Sequence, residues 1–108
     1  MSHPLISKVE EKVKGNSVII FMKGTPESTQ CGFSAKACEL LRAAGAAKFA
    51  AVDVLSEGPL REAVKEYTQW PTIPQIFIHG KFIGGSDIVT EMYERGELQK
   101  LLKGGSTI

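Results

Sequence analysis

The chain has 108 residues, 43% of them hydrophobic, and a formal net charge of +1, which is enough apolar material for one domain with a single core. The near-neutral charge gives no bulk attraction for nucleic acid or for an anionic membrane, and no apolar stretch approaches the length of a membrane span. The start, Met-Ser-His-Pro, lacks the charged-then-apolar pattern of a signal peptide, although a mature chain freed of a transit peptide would read the same.

Taken in order, Leu5, Val9 and Val13 recur every four residues among Lys and Glu and predict a short amphipathic helix, ended by Gly15-Asn16. Val18-Ile19-Ile20-Phe21-Met22 is apolar throughout, as a central strand covered on both faces should be. Residues 23–34, Lys-Gly-Thr-Pro-Glu-Ser-Thr-Gln-Cys-Gly-Phe-Ser, read as a loop feeding a helix over 35–44. Phe33, Ala37, Leu40, Leu41 and Ala44 make the inward stripe of that helix, and Gly45 stops it. Residues 49–55 read as a second strand, and strand–helix–strand at this spacing implies a parallel crossover.

Ser56-Glu57-Gly58-Pro59 is a helix-start signal, with Pro suited to the first turn; Leu60, Val64 and Tyr67 continue it. Trp70-Pro71-Thr72-Ile73-Pro74 breaks the helix and opens a hairpin, with strands over 75–78 and 81–83 and His79-Gly80 at the turn. Gly84-Gly85-Ser86-Asp87 caps a last helix through Met92 and Glu94; Gly96 interrupts it, and 97–103 adds a turn or two before a Gly-Gly-Ser-Thr tail. The order α-β-α-β-α-β-β-α predicts an α/β fold of the thioredoxin type. It is a four-stranded mixed β-sheet flanked by helices, in a single domain over 1–108.

Cys31 stands where the loop turns into the second helix. Free amide N–H groups and the positive end of the helix dipole stabilise an anion there, so a thiolate forms more readily than at an ordinary Cys. The other cysteine, Cys38, follows the apolar stripe and reads as core. On one helix, seven positions separate Cα atoms by ~10 Å, beyond the roughly 7 Å reach of a disulfide. Two free thiols and no other Cys read as a reduced, intracellular protein. His3 and His79 have no neighbouring ligands in sequence and read as surface or turn residues. Trp70 reads as packing beside the Cys31 loop.

Cys31-Gly32-Phe33-Ser34, Lys23-Gly24-Thr25-Pro26, Trp70-Pro71-Thr72-Ile73-Pro74-Gln75 and Gly84-Gly85-Ser86-Asp87-Ile88 together resemble a monothiol glutaredoxin of the CGFS type. The likeness runs from about Val9 to Leu102. It implies a glutathione site, with Cys31 and Phe33 at its centre. Lys23 and Arg61 would meet the glycine-end carboxylate, and Ile73 would offer its backbone before a cis Pro74. Ser86 and Asp87 would hold the γ-glutamyl end. Glutathione carries two carboxylates and one ammonium, and a binder needs complementary cations, an anion and free backbone groups. Read singly, Lys23 and Arg61 are also ordinary solvated charges, Asp87 is also a plain N-cap, and Pro74 is also a trans turn residue.

The resemblance further implies carriage of a [2Fe-2S] cluster. Such a cluster takes four ligands, usually thiolates. Cys31 as the metal ligand and one glutathione from each of two protomers would supply them, giving a glutathione-bridged homodimer. A cluster scaffold would be the donor, apo-proteins the clients and a BolA-like protein a partner, in the mitochondrial matrix or a bacterial cytoplasm. The alternative is a glutathione-dependent thiol–disulfide oxidoreductase that deglutathionylates proteins through Cys31 alone. The long loop over 25–30, Phe33 and Ser34 favour carriage over that weaker activity. One departure stands out: many relatives have Cys where this chain has Ser86, so no second thiol would be at hand to resolve Cys31.

Overall fold

The computed structural model describes residues 4–46 and 48–104; the Met1–His3 start and the tail over 105–108 lie outside the described residues. The elements are α1 (Ile6–Lys14), β1 (Val18–Met22), β2 (Gly24–Thr25), β3 (Ser28–Thr29), α2 (Gly32–Ala43) and β4 (Ala50–Asp53). They continue with α3 (Gly58–Thr68), β5 (Gln75–Ile78), β6 (Lys81–Gly84), α4 (Ser86–Glu94) and α5 (Glu97–Gly104).

Strands β4-β1-β5-β6 form one mixed sheet, with β1 parallel to β4 and antiparallel to β5, and β5 antiparallel to β6. β1 is buried at all five positions because both of its faces are covered. Strand alternation divides its side chains between two cores. Val18, Ile20 and Met22 pack with Ala37, Cys38 and Leu41 of α2, Val89 of α4 and Leu98 of α5. Ile19 and Phe21 pack on the other side with Val9 and Val13 of α1 and Leu60, Ala63 and Val64 of α3. Phe77 anchors this second core, its ring centroid 5.7 Å from Phe21, 6.1 Å from Tyr67 and 5.4 Å from Phe82.

The hairpin forms as expected. Its turn residues His79 and Gly80 have φ of 53° and 81°, the paired positive angles that a two-residue turn between twisted strands requires. Gly96, at φ 77°, divides the last helical segment into α4 and α5. Both cysteines are free, and Cys38 is buried with its Sγ 3.6 Å from Met22 Sδ.

The structure departs from the sequence expectations in several places: the apolar residues form two clusters, one on each face of the sheet, where a single core was expected, and α2 begins at Gly32, three residues before the expected start. The strand expected over 49–55 is only Ala50–Asp53. Asp53 Oδ1 accepts the Leu55 amide at 2.9 Å, and its carbonyl accepts the Glu57 amide at 3.0 Å, so the chain turns there instead of running on. The loop over 25–30 holds a small antiparallel ribbon, β2 with β3, pairing Gly24 with Thr29 and Thr25 with Ser28. Phe33 does not join the inward stripe of α2: it is 63% exposed, and Ser34 is the buried residue of that first turn. Ser34 shares the buried face with Ala37, Cys38 and Leu41, while Phe33, a turn before Ala37, stands at the open start of the helix and lines the cavity beside Cys31. Asp87 is not an N-cap; Gly85 occupies that position and Asp87 lies in the first turn of α4.

These placements separate two phenylalanines. Phe77→Ala removes the ring that joins three aromatic neighbours and should cost about 3–5 kcal/mol in urea unfolding. Phe33→Ala should change stability by less than about 0.5 kcal/mol, because its ring is mostly in solvent.

Candidate functional site

The site lies at the carboxyl ends of β1 and β4, where connections leave parallel strands and a crevice forms. β1 ends at Met22, and Lys23 begins the loop that returns to the start of α2. Gly24 lets it turn. Its φ is 88°, and a Cβ there would sit 2.5 Å from the Ser28 carbonyl oxygen and 2.8 Å from the Gln30 amide nitrogen. The Gln30 amide donates to the Lys23 carbonyl at 3.0 Å and closes the loop just before Cys31.

Cys31 is the N-cap of α2, with extended backbone at φ −158° and ψ 133°. Burial pushes its thiol pKa up, but the Ser34 and Phe33 amides, the Ser34 hydroxyl and the charge of Lys23 together pull it below the ordinary thiol value. The thiolate is therefore favoured where the helix N-terminus presents unpaired donors. Ser34 is fully buried and its Oγ accepts the Lys23 amide at 3.1 Å, so one side chain serves both the loop and the thiol. Cys38 has the opposite environment: burial raises its pKa, and it is sequestered in the core.

Cys31 opens on a cavity of about 410 Å³, within the ~300–1,000 Å³ range of small-molecule sites. The cavity is lined by all eight residues that the resemblance implies for a glutathione site. Lys23, Cys31 and Phe33 come from the loop and α2, Arg61 from α3, Ile73 and Pro74 from the segment before β5, and Ser86 and Asp87 from α4. The Ile73–Pro74 peptide is cis. Gly85 lies against it, where a Cβ would meet the Pro74 carbonyl at 3.1 Å. Arg61 Nε is buried with no hydrogen-bond partner among the described residues, a donor well suited to a carboxylate. Three cations, Lys23, Arg61 and Lys65, face one acid, Asp87, so the lining favours an anion that also carries a positive end.

Three contributors were not legible as site residues. Lys65 lies one turn beyond Arg61 on α3, and helical spacing was the available signal. Trp70 is 38% exposed and combines wall and packing roles, its ring 5.9 Å from that of Phe82. Gln75 is fully buried and holds the wall in shape. Its Nε2 donates to the Trp70 carbonyl at 3.0 Å and the Thr72 carbonyl at 3.2 Å, and its Oε1 accepts the Thr68 hydroxyl at 2.8 Å. A fully paired amide in the core fixes one loop conformation at little net cost. Among the described residues, no group of three or more His, Cys, Asp or Glu side chains is placed to hold a metal ion.

Two outcomes follow from the thiol environments. In the native protein iodoacetamide should alkylate Cys31 and spare Cys38, with the Cys31 rate rising through a pKa below that of a free thiol. Ser34→Ala should move that pH–rate profile upward and cost about 1–2 kcal/mol, since the Lys23 amide loses its acceptor. An unmoved profile in a folded Ser34→Ala protein would contradict the assigned cause.

The glutaredoxin family profile matches residues 18–83. The chain is 48% identical over 97 residues to the mitochondrial monothiol glutaredoxin-5 of Schizosaccharomyces pombe, covering 88% of this chain and 66% of that one. It is 45% identical over 98 residues to glutaredoxin 4 of Escherichia coli, covering 91% and 84%. Among solved structures it resembles a monomeric truncated mutant of Trypanosoma brucei 1-C-Grx1, with a TM-score of 0.82, 39% identity, and 97% and 92% of the two chains covered. It also resembles a buckwheat glutaredoxin–glutathione complex, with a TM-score of 0.79, 29% identity, and 90% and 86% covered. With a sheet of order β4-β1-β5-β6 flanked by helices and a family match that runs from its first strand into its last, the chain belongs to the glutaredoxin family.

Proposed function

We propose that this chain is a single-domain monothiol glutaredoxin of the CGFS type that binds glutathione at Cys31 and carries a labile [2Fe-2S] cluster to apo-proteins. The observation that carries this reading is one accessible, thiolate-prone cysteine opening on a cavity with three cations and one acid. Glutathione has a matching inventory of two carboxylates, one ammonium and a thiol. In this reading Lys23 and Arg61 take the glycine-end carboxylate, and the Ile73 backbone pairs with the central residue. The amides at the start of α4 take the γ-glutamyl carboxylate beside Ser86, and Asp87 takes the ammonium. The glutathione complex of the buckwheat relative supports the ligand assignment.

A count of the available donors supports cluster carriage. Iron–sulfur clusters of this class need four ligands, and this chain offers one accessible thiolate. A glutathione thiol in the cavity gives a second, and a second protomer with its own glutathione completes the set in a homodimer. With half of the ligands exogenous, the cluster is readily released, as cargo should be. The expected exchange partners are a cluster scaffold, a BolA-like protein and the apo-protein clients. The setting is a mitochondrial matrix or a bacterial cytoplasm, in keeping with one relative named as mitochondrial and another from Escherichia coli. Among the described residues no helix is long and apolar enough to cross a membrane.

The second reading uses the same thiolate. Cys31 would attack the glutathione sulfur of a protein–glutathione disulfide, and the protein would leave as its thiolate. A second glutathione thiolate would then attack that sulfur, releasing oxidised glutathione and regenerating Cys31. Ser86 provides no thiol to intercept the mixed disulfide.

Anaerobic reconstitution with iron, sulfide and glutathione separates the readings. The carrier predicts a coloured species of dimer mass that requires glutathione, is lost in Cys31→Ser and persists in Cys38→Ser. A colourless monomer that still forms a Cys31–glutathione disulfide would leave the oxidoreductase. Lys23→Ala should weaken glutathione binding about tenfold in calorimetry; unchanged affinity would contradict the carboxylate contact.

A further inference from the structure

Asp53 ends β4, paired in register with Met22 at the end of β1. It is held firmly on its own side, where its carbonyl accepts the Glu57 amide at 3.0 Å and the Ser56 hydroxyl at 3.1 Å. Its carboxylate also reaches across to the loop that precedes Cys31. Oδ1 accepts the Leu55 amide at 2.9 Å and the Gly24 amide at 3.0 Å. One oxygen thus ties the β4–α3 connection to the Lys23–Gly24 turn, 29 residues away in sequence.

That turn passes position to Cys31 by two routes. The Lys23 carbonyl accepts the Gln30 amide, and Gln30 is the residue before Cys31. The Lys23 amide donates to Ser34 Oγ, and Ser34 is the first-turn residue whose amide and hydroxyl favour the Cys31 thiolate. A displaced Gly24 would therefore shift the backbone before Cys31, the partner of Ser34 and the Lys23 ammonium together. Gly24 is also paired with Thr29 in the β2–β3 ribbon, so a shift there is carried on toward Gln30 and Cys31.

We propose that Asp53 is a positioning residue for Cys31: its carboxylate oxygen fixes the Lys23–Gly24 turn and so sets the reactivity of a thiol on a different element. The amides of Leu55 and Gly24 hold its carboxyl below the ordinary carboxylate range, so it is an acceptor throughout the pH range in which a thiol titrates. The assignment concerns the reduced chain alone and stands independently of what Cys31 reacts with.

Two substitutions separate placement from charge. Asp53→Asn keeps an oxygen where Gly24 and Leu55 need it and removes the charge. Asp53→Glu keeps the charge and moves the oxygen by one methylene. Each is followed by the pH dependence of Cys31 alkylation by iodoacetamide, with circular dichroism and continued protection of Cys38 as fold controls. Asp53→Glu should slow alkylation at pH 7 about threefold or more and move the profile upward, while Asp53→Asn should stay within about twofold of the parent. Asp53→Ala repeats the displaced-oxygen arm should the Glu variant not fold. A folded Glu or Ala variant with the parent profile would overturn the proposal. So would an Asn variant as slow as either, since charge and not placement would then be the cause.

Discussion

The site depends on a helix that begins one residue after a thiol. Because Cys31 keeps extended backbone while Gly32 is already helical, the first turn of α2 has amides with no partner inside the helix. A Ser, Thr, Asn or Asp side-chain oxygen is the usual acceptor for them; here the thiolate of the N-cap residue is the anion in reach. Ser34 adds its hydroxyl and ties the same turn to Lys23. The reactivity of Cys31 is thus a property of where the helix starts, and the helix starts there because the loop from β1 delivers the chain to it.

The two cores explain why that delivery is repeatable. β1 is fixed between β4 and β5 and covered on both faces, so the point at which Lys23 leaves the sheet is invariant. The opposite wall of the cavity is set just as firmly by Gln75, whose three hydrogen bonds hold Thr68, Trp70 and Thr72 around the cis Ile73–Pro74 peptide. The end of β1 and the start of β5, paired neighbours at the centre of one sheet, therefore hold the two loops that border the cavity. Arg61 and Lys65 come from α3 and Ser86 and Asp87 from α4, so helices from both sides of the sheet contribute charge to one space.

Much of this was legible in sequence. The all-apolar Val18–Met22 run, the His79-Gly80 turn and the position of Cys31 before an Ala- and Leu-rich helix gave the sheet, the hairpin and the thiol site directly. The misses share a cause, which is that short-range pattern does not see hydrogen bonds between distant residues. Asp53 looks like one position in a strand over 49–55, yet its side chain ends that strand and reaches Gly24. Phe33 looks apolar and therefore internal, yet it stands in the first turn of α2 at the mouth of the cavity and is mostly exposed. Gln75 looks like a polar residue at a strand edge, yet its amide is fully buried and paired. The ribbon over Gly24–Thr29 depends on two residues per strand, too few for any periodicity to register.

The central functional claim is that the cavity at Cys31 holds glutathione, since both cluster carriage and thiol exchange require it. The most direct test is to titrate glutathione into the reduced, isotope-labelled chain and map the backbone amide shifts. The account predicts saturable shifts at Lys23, Cys31, Ile73, Ser86 and Asp87. Shifts confined to the far end of the sheet, around Ser17 and His79, or no saturable shifts at all, would contradict it.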